Sequence, residues 1–263
     1  MYIEDLAAID GYKHVYLSPH LDDAALSCGG RIASQAARGE RMLAITLCTA
    51  SPPAEGPFSA LARQFHADWG LTPDQAVTAR LAEDRQAMER LGCDYHWAGM
   101  LDAIYRYPQA YTSRESLFNT PAPDDPLFQD LQQFVAALRD RAPGATFYAP
   151  LGVGSHVDHL ITFAAAGQAL GDALRFYEDI HYVLQPGALE RRMAALDRPL
   201  DSETIAIDAV LEQKIAAVGA YASQLGELFG SVEAMPPAIA GYARKVRPEG
   251  AEHGERVWQK RGA

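Results

Sequence analysis

Residues 14–49 read as a strand, a helix and a second strand with almost no chain between them. That unit constrains the fold more than any other feature. "HVYLSP" (14–19) is a short apolar run with β-branched and aromatic side chains, the pattern of a buried strand. Residues 24–38 place Leu26, Ile32, Ala33 and Ala36 at helical spacing, and Gly39 sits where a helix-ending glycine belongs. "RMLAITLCT" (41–49) is a second buried-strand run. A helical crossover within about 36 residues joins parallel strands, so the chain is expected to be of the α/β class.

The remaining pattern continues that alternation. A helix is expected at 78–91, ended by Gly92, followed by a strand in "YHWAG" and a helix at 126–140. A strand "ATFYAP" (145–150), a helix at about 157–170 and strands at 174–179 and 203–208 come next. Residues 209–222 read as a helix with Asp208 as its N-cap. Long connections fall at about 50–76, with a short helix around "SALARQFHADWG", and at 103–125. No repeat or linker divides the 263 residues. The expectation is a single Rossmann-like domain over 1–263, a mostly parallel sheet with helices on both faces.

Composition narrows the function. The formal net charge is −11 with no lysine or arginine run, which argues against nucleic acid as a partner. No apolar stretch approaches the roughly 20 residues of a membrane span, and "MYIEDLAAIDGYK" lacks the layout of a secretory signal. Cys28, Cys48 and Cys93 are odd in number and far apart, and read as buried hydrophobes in a reducing, cytoplasmic setting.

Ligands of parallel α/β sheets bind at the carboxyl ends of strands. Two such ends carry nearly the same text: His20-Leu21-Asp22-Asp23 and His156-Val157-Asp158-His159. First and fourth residues of each lie one helical turn apart and can face one point. His20, Asp23 and His159 would form a two-histidine, one-carboxylate set, suited to catalytic Zn²⁺ and also to Fe²⁺. An acidic residue at a helix start is often only a cap, but twin motifs at two strand ends favour a site. Spacing alone does not distinguish Asp22 from Asp23. Competing motifs are incomplete: Gly152-Val153-Gly154 begins a dinucleotide loop whose third glycine is replaced by Val157, and no Walker A string or nucleophile elbow occurs.

The two corners resemble the PIG-L/LmbE family of metal-dependent N-deacetylases, with signatures H-P-D-D and H-P-D-H. Arg80-Leu-Ala-Glu83 with Leu91-Gly92, "FYED" (176–179) and Lys214…Ala217…Tyr221-Ala-Ser223-Gln224 resemble later blocks of that family. The chain departs from the pattern at both motif prolines, replaced by Leu21 and Val157. It departs again at Gly154, where some relatives carry a tyrosine. The resemblance implies an LmbE-like fold and removal of an N-acetyl group from an N-acetylglucosamine-type conjugate, a small-molecule substrate, with a metal-bound water as nucleophile. It implies His20, Asp23 and His159 as ligands of Zn²⁺ (or Fe²⁺) and Asp22 as general base. His156 then stabilises the oxyanion or protonates the amine, with Asp158 as its orienting partner. Arg80 and Asp102 are candidate sugar contacts, although Arg80 also has Glu83 within reach on its own helix. Tyr105, Tyr107, Tyr111 and Phe118 either form an aromatic lid or pin their loop to the core. Hydrolysis of another amide or ester, or non-catalytic sugar binding on the same fold, is the alternative. The sequence leaves a homo-oligomer open.

Overall fold

The computed structural model describes residues 1–263 apart from Ala54, Gly70, Leu71 and Ala263. Strand β1 (His14–Ser18) leads into α1 (Asp23–Ala37), which returns to β2 (Met42–Cys48). The two strands pair in parallel, Val15 opposite Leu43 and Leu17 opposite Ile45, as a helical crossover requires. Helices α2 (Ala60–Trp69) and α3 (Pro73–Leu91) follow. α3 starts well ahead of the expected residue 78 because Thr72 and Gln75 form a reciprocal capping box. It ends on Gly92, whose φ of 68° is left-handed and free of steric cost for glycine.

Next come β3 (Asp94–Met100), the single turns α4 (Ala103–Arg106) and α5 (Arg114–Leu117), then α6 (Leu127–Arg141). β4 (Thr146–Pro150), α7 (Val157–Leu170) and β5 (Leu174–Tyr177) complete the parallel part. The last third holds α8 (Ala188–Ala194), β6 (Leu200–Ala206), α9 (Leu211–Val218), α10 (Ala222–Phe229), α11 (Met235–Lys245) and β7 (Gly254–Lys260).

Among the described residues the strands form one sheet in the order β3-β2-β1-β4-β5-β7-β6. β1 to β5 pair in parallel, and β7 runs antiparallel to both β5 and β6. Side chains alternate across the sheet. Val15, Leu17, Leu43, Ile45 and Phe147 join one apolar cluster, while Tyr16, Ala44 and Tyr148 join the other. Helices α6 and α7 cover the first face, and α1, α3 and α9 supply residues to the second. The expected single domain with helices on both faces is therefore present.

The C-terminal third differs from expectation. The helix expected at 209–222 is a turn at Asp208–Val210 followed by α9 and, separately, α10. Asp208 does not cap α9; its carboxylate accepts from His253 N at 2.8 Å and Glu252 N at 3.3 Å, tying down the approach to β7. Nor does the strand expected at 174–179 reach Asp179, because β5 stops at Tyr177. Among the described residues no helix is long and apolar enough to cross a membrane.

Candidate active site

The strand order reverses direction between neighbours β1 and β4, which opens a crevice beyond their carboxyl ends. The two motifs therefore meet there. Ser18 ties down the first: its Oγ donates to His20 O at 2.7 Å and accepts from Ala24 N at 3.1 Å. The second starts α7, with His156 as the N-cap residue.

Three donor atoms converge. His20 Nδ1 lies 3.5 Å from Asp23 Oδ2, His159 Nε2 lies 3.4 Å from the same oxygen, and the two ring nitrogens are 3.3 Å apart. Tetrahedral ligands at about 2.0–2.1 Å from zinc sit roughly 3.3–3.4 Å from one another. The triangle therefore fits a divalent ion, and its two-histidine, one-carboxylate composition leaves positions for water and substrate. Two other donor groups share His20 among the described residues, one with His156 and His159 and one with Cys48 and Asp158. In the latter, Asp158 is already neutralised by Arg106 at 2.6 Å.

Each histidine of the triangle is backed by a carboxylate. His20 Nε2 meets Asp158 Oδ2 at 3.1 Å, and His159 Nδ1 meets Asp179 Oδ1 at 2.7 Å. These bonds fix both rings with His20 Nδ1 and His159 Nε2 turned inward toward Asp23, where a bound cation would displace the inward ring protons. Asp179 also accepts from Gly152 N and Val153 N, both at 2.8 Å, so it fixes the chain leaving β4. Asp179 is the last residue of the "FYED" block, two positions past the end of β5, and that block is its signal in the sequence.

Asp22 and Asp23 diverge electrostatically. Burial opposes ionisation of Asp23, but the facing His159 and His20 rings outweigh it and hold its carboxyl below the usual range. Asp22 is pushed up to about 7, first by burial and then by the Asp23 charge. Its backbone φ of 149° is one that side-chain-bearing residues rarely adopt. An adjacent pair with separated proton affinities is a pattern that lets one carboxylate bind a cation while its neighbour exchanges a proton.

His156 and Asp158 are related differently from expectation. His156 Nδ1 accepts from the Asp158 backbone N–H at 3.2 Å, which leaves the ring proton on Nε2. The Asp158 carboxylate instead contacts His20, Arg106 and Ala103 N. Orientation of His156 thus comes from the helix N-terminus and not from the carboxylate. Burial and then the His20 charge push the His156 ring well below its usual range, so it is a neutral hydrogen-bond donor.

The substrate candidates line the same cleft, a cavity of about 280 Å³. Arg80 donates to Leu21 O at 3.2 Å and lies 3.7 Å from Asp22 Oδ2. Glu83 turns away and accepts from Ser223 N and Oγ at 2.8 and 2.7 Å, so the own-helix pair does not form. Asp102 Oδ2 is 3.4 Å from His20 Nε2. Of the four loop aromatics only Phe118 lines the cleft, edge-on to His156 at 5.1 Å between ring centres. Tyr111, Tyr107 and Tyr105 bond Asp125, Asp124 and His66, and so pin the loop. Cys28 and Cys93 are buried as expected, whereas Cys48 is half-buried with its thiol 3.8 Å from Asp158. Gly154, the tyrosine position of some relatives, is filled from elsewhere: a side chain there would overlap the Tyr182 ring. A larger cleft on the far side of α7 is lined by no histidine and by none of Asp22, Asp23, Arg80 and Asp102.

The profile of the GlcNAc-PI de-N-acetylase (PIG-L) family matches residues 15–170, more than half of the chain and both histidine corners. The chain belongs to that family. A 2'-N-acetylparomamine deacetylase of Streptomyces fradiae is 29% identical, over 94% of this chain and 89% of its own length. A 1D-myo-inositol 2-acetamido-2-deoxy-alpha-D-glucopyranoside deacetylase of Corynebacterium glutamicum is 26% identical, over 88% of this chain and 81% of its own. The solved zinc-inhibited form of teicoplanin deacetylase Orf2 superposes with a TM-score of 0.77 at 27% identity, covering 95% of this chain and 99% of that one.

Proposed function

We propose that this protein is a divalent-metal-dependent hydrolase that removes the N-acetyl group from an N-acetylglucosamine-type sugar conjugate. The observation that carries the reading is the His20–Asp23–His159 triangle of 3.3–3.5 Å edges with the proton-exchanging Asp22 beside it. His20, Asp23 and His159 would hold the ion, with zinc and iron(II) both suited to the set. When bound, such an ion polarises a carbonyl and lowers the pKa of water toward neutrality.

The side chains then divide the work. Asp22 accepts the proton of the attacking water, which its pKa near neutrality permits. His156 donates from Nε2 to the oxygen on which charge develops, a role for a neutral imidazole. The proton held by Asp22 is passed to the departing amine, which leaves with acetate as the second product. Arg80 and Asp102 contact the sugar, and Phe118 forms an apolar wall of a cleft about the size of one ring.

The relatives' named substrates, an acetylated aminoglycoside and an inositol glycoside, define the conjugates to try first. Acetate release from such conjugates, with metal content measured on the same preparation, tests the reading. Release that follows metal occupancy supports it. Stoichiometric metal without hydrolysis of any acetamide overturns it.

A further inference from the structure

The buried cation beside the histidines has no role in the chemistry above. Arg106 lies in α4, at the start of the 103–125 connection. Its guanidinium bonds Asp125 twice, at 2.8 and 2.9 Å, Leu101 O at 2.6 Å, and Asp158 Oδ1 at 2.6 Å. Asp158 is fully buried, and its second oxygen meets His20 Nε2 at 3.1 Å and Ala103 N at 3.2 Å. A chain Asp125–Arg106–Asp158–His20 thus runs from the loop into the donor triangle.

We propose that Arg106 is a positioning residue for the metal site, acting through Asp158 on His20. The inference rests on the reading of His20 as a ligand. A carboxylate with no solvent contact needs a hydrogen-bonded cation to compensate its burial, and Arg106 supplies it at 2.6 Å. So held, Asp158 Oδ2 lies against His20 Nε2 at 3.1 Å. Nδ1 then faces Asp23 and His159, 3.5 and 3.3 Å away. Without Arg106 nothing holds Asp158 Oδ1, the carboxyl is free to turn, and the His20 ring loses the partner that fixes its orientation. Arg106 and Ala103, which donates its N–H to the same carboxylate, share one helical turn. The loop therefore reaches the site through a paired contact and not merely by proximity.

The test is the Zn²⁺ dissociation constant of chelator-stripped full-length protein, measured by competition with a chromophoric chelator. The proteins compared are wild type, Arg106→Gln, the double variant Arg106→Gln/Asp158→Asn and Asp125→Asn. Circular dichroism and cooperative unfolding are checked for each. The double variant removes both buried charges, so it guards against loss of fold in Arg106→Gln alone. Partners of ligating histidines typically affect metal affinity about 10–100-fold. A weakening of that size is expected in both Arg106 variants, with Asp125→Asn within about twofold of wild type because its Arg106–Asp158 pair survives. Wild-type affinity in the folded double variant overturns the proposal. So does equal weakening in Asp125→Asn, which would make Arg106 a loop anchor. Absence of zinc binding in wild type itself overturns the underlying ligand reading, a different result from either.

Discussion

Replacing Asp22 by Asn separates chemistry from stability, because the two should move in opposite directions. The amide keeps the shape but cannot take a proton from water. General-base loss of this kind costs about 10²–10⁴ in turnover, or roughly 3–5 kcal/mol of barrier. In the metal-free protein the same carboxyl is raised from 3.8 to about 7 by burial and by Asp23. The folded value lies above the unfolded one, so between about pH 4 and pH 7 the native state binds this proton more tightly than the unfolded chain. Native stability therefore falls as pH rises through that window. The shift corresponds to at most about 4 kcal/mol once Asp22 is fully ionised in both states. Asn mimics the protonated form and escapes this cost. Chelator-stripped Asp22→Asn should accordingly exceed stripped wild type by about 2–4 kcal/mol in urea unfolding near pH 8, with the margin shrinking toward pH 4. Metal content, acetate release and unfolding at several pH values complete the assay. Undiminished turnover would refute the base assignment, and a margin independent of pH would refute the electrostatic reasoning.

His159→Ala removes one corner of the donor triangle and should lose the metal itself; metal analysis showing wild-type content would contradict the ligand assignment. Gly154→Ala forces a left-handed backbone, φ 88°, onto alanine and drives its Cβ into Tyr182. A loss of about 2–4 kcal/mol is expected on thermal unfolding, with a raised KM because Tyr182 lines the cleft. Lys214→Met breaks a buried pair, Nζ to Glu255 Oε1 at 2.6 Å, and should cost about 3–5 kcal/mol by leaving that carboxylate without its cation. Activity measured well below the unfolding transition should stay near wild type, since Lys214 lies outside the cleft.

The parts that were legible in the sequence are the parts encoded locally. The β1–α1–β2 unit shows in a switch of apolar period within one stretch of chain, and its helix is capped by Arg38 and followed by Gly39 with φ of 73°. Each histidine corner is likewise one turn of chain, so its spacing could be read directly. The missed elements carry weak local signals. β7 reads "GERVWQK", with only Val257 and Trp258 apolar and no alternation, and α8 and α10 are too short to show a clear periodicity. Asp208 reads as a helix cap, yet its acceptor oxygens are claimed by residues 252 and 253, far along the chain. Glu83 reads as a partner for Arg80 one turn away, but Ser223 supplies two donors to it.

By itself the sequence determined an α/β chain whose two matching histidine corners stand at strand ends. Those facts follow from side-chain period and from motifs a few residues long. Tertiary structure alone decided which partners those histidines have. Asp158 serves His20 across 138 positions of sequence, Asp179 serves His159, and Arg106 sits behind the first of these pairs. It also decided that Asp22 and Asp23, adjacent and chemically identical, acquire opposite proton affinities. The reason is that desolvation and Coulomb interaction depend on distances through space, and the parallel sheet sets those distances by bringing the ends of β1 and β4 side by side.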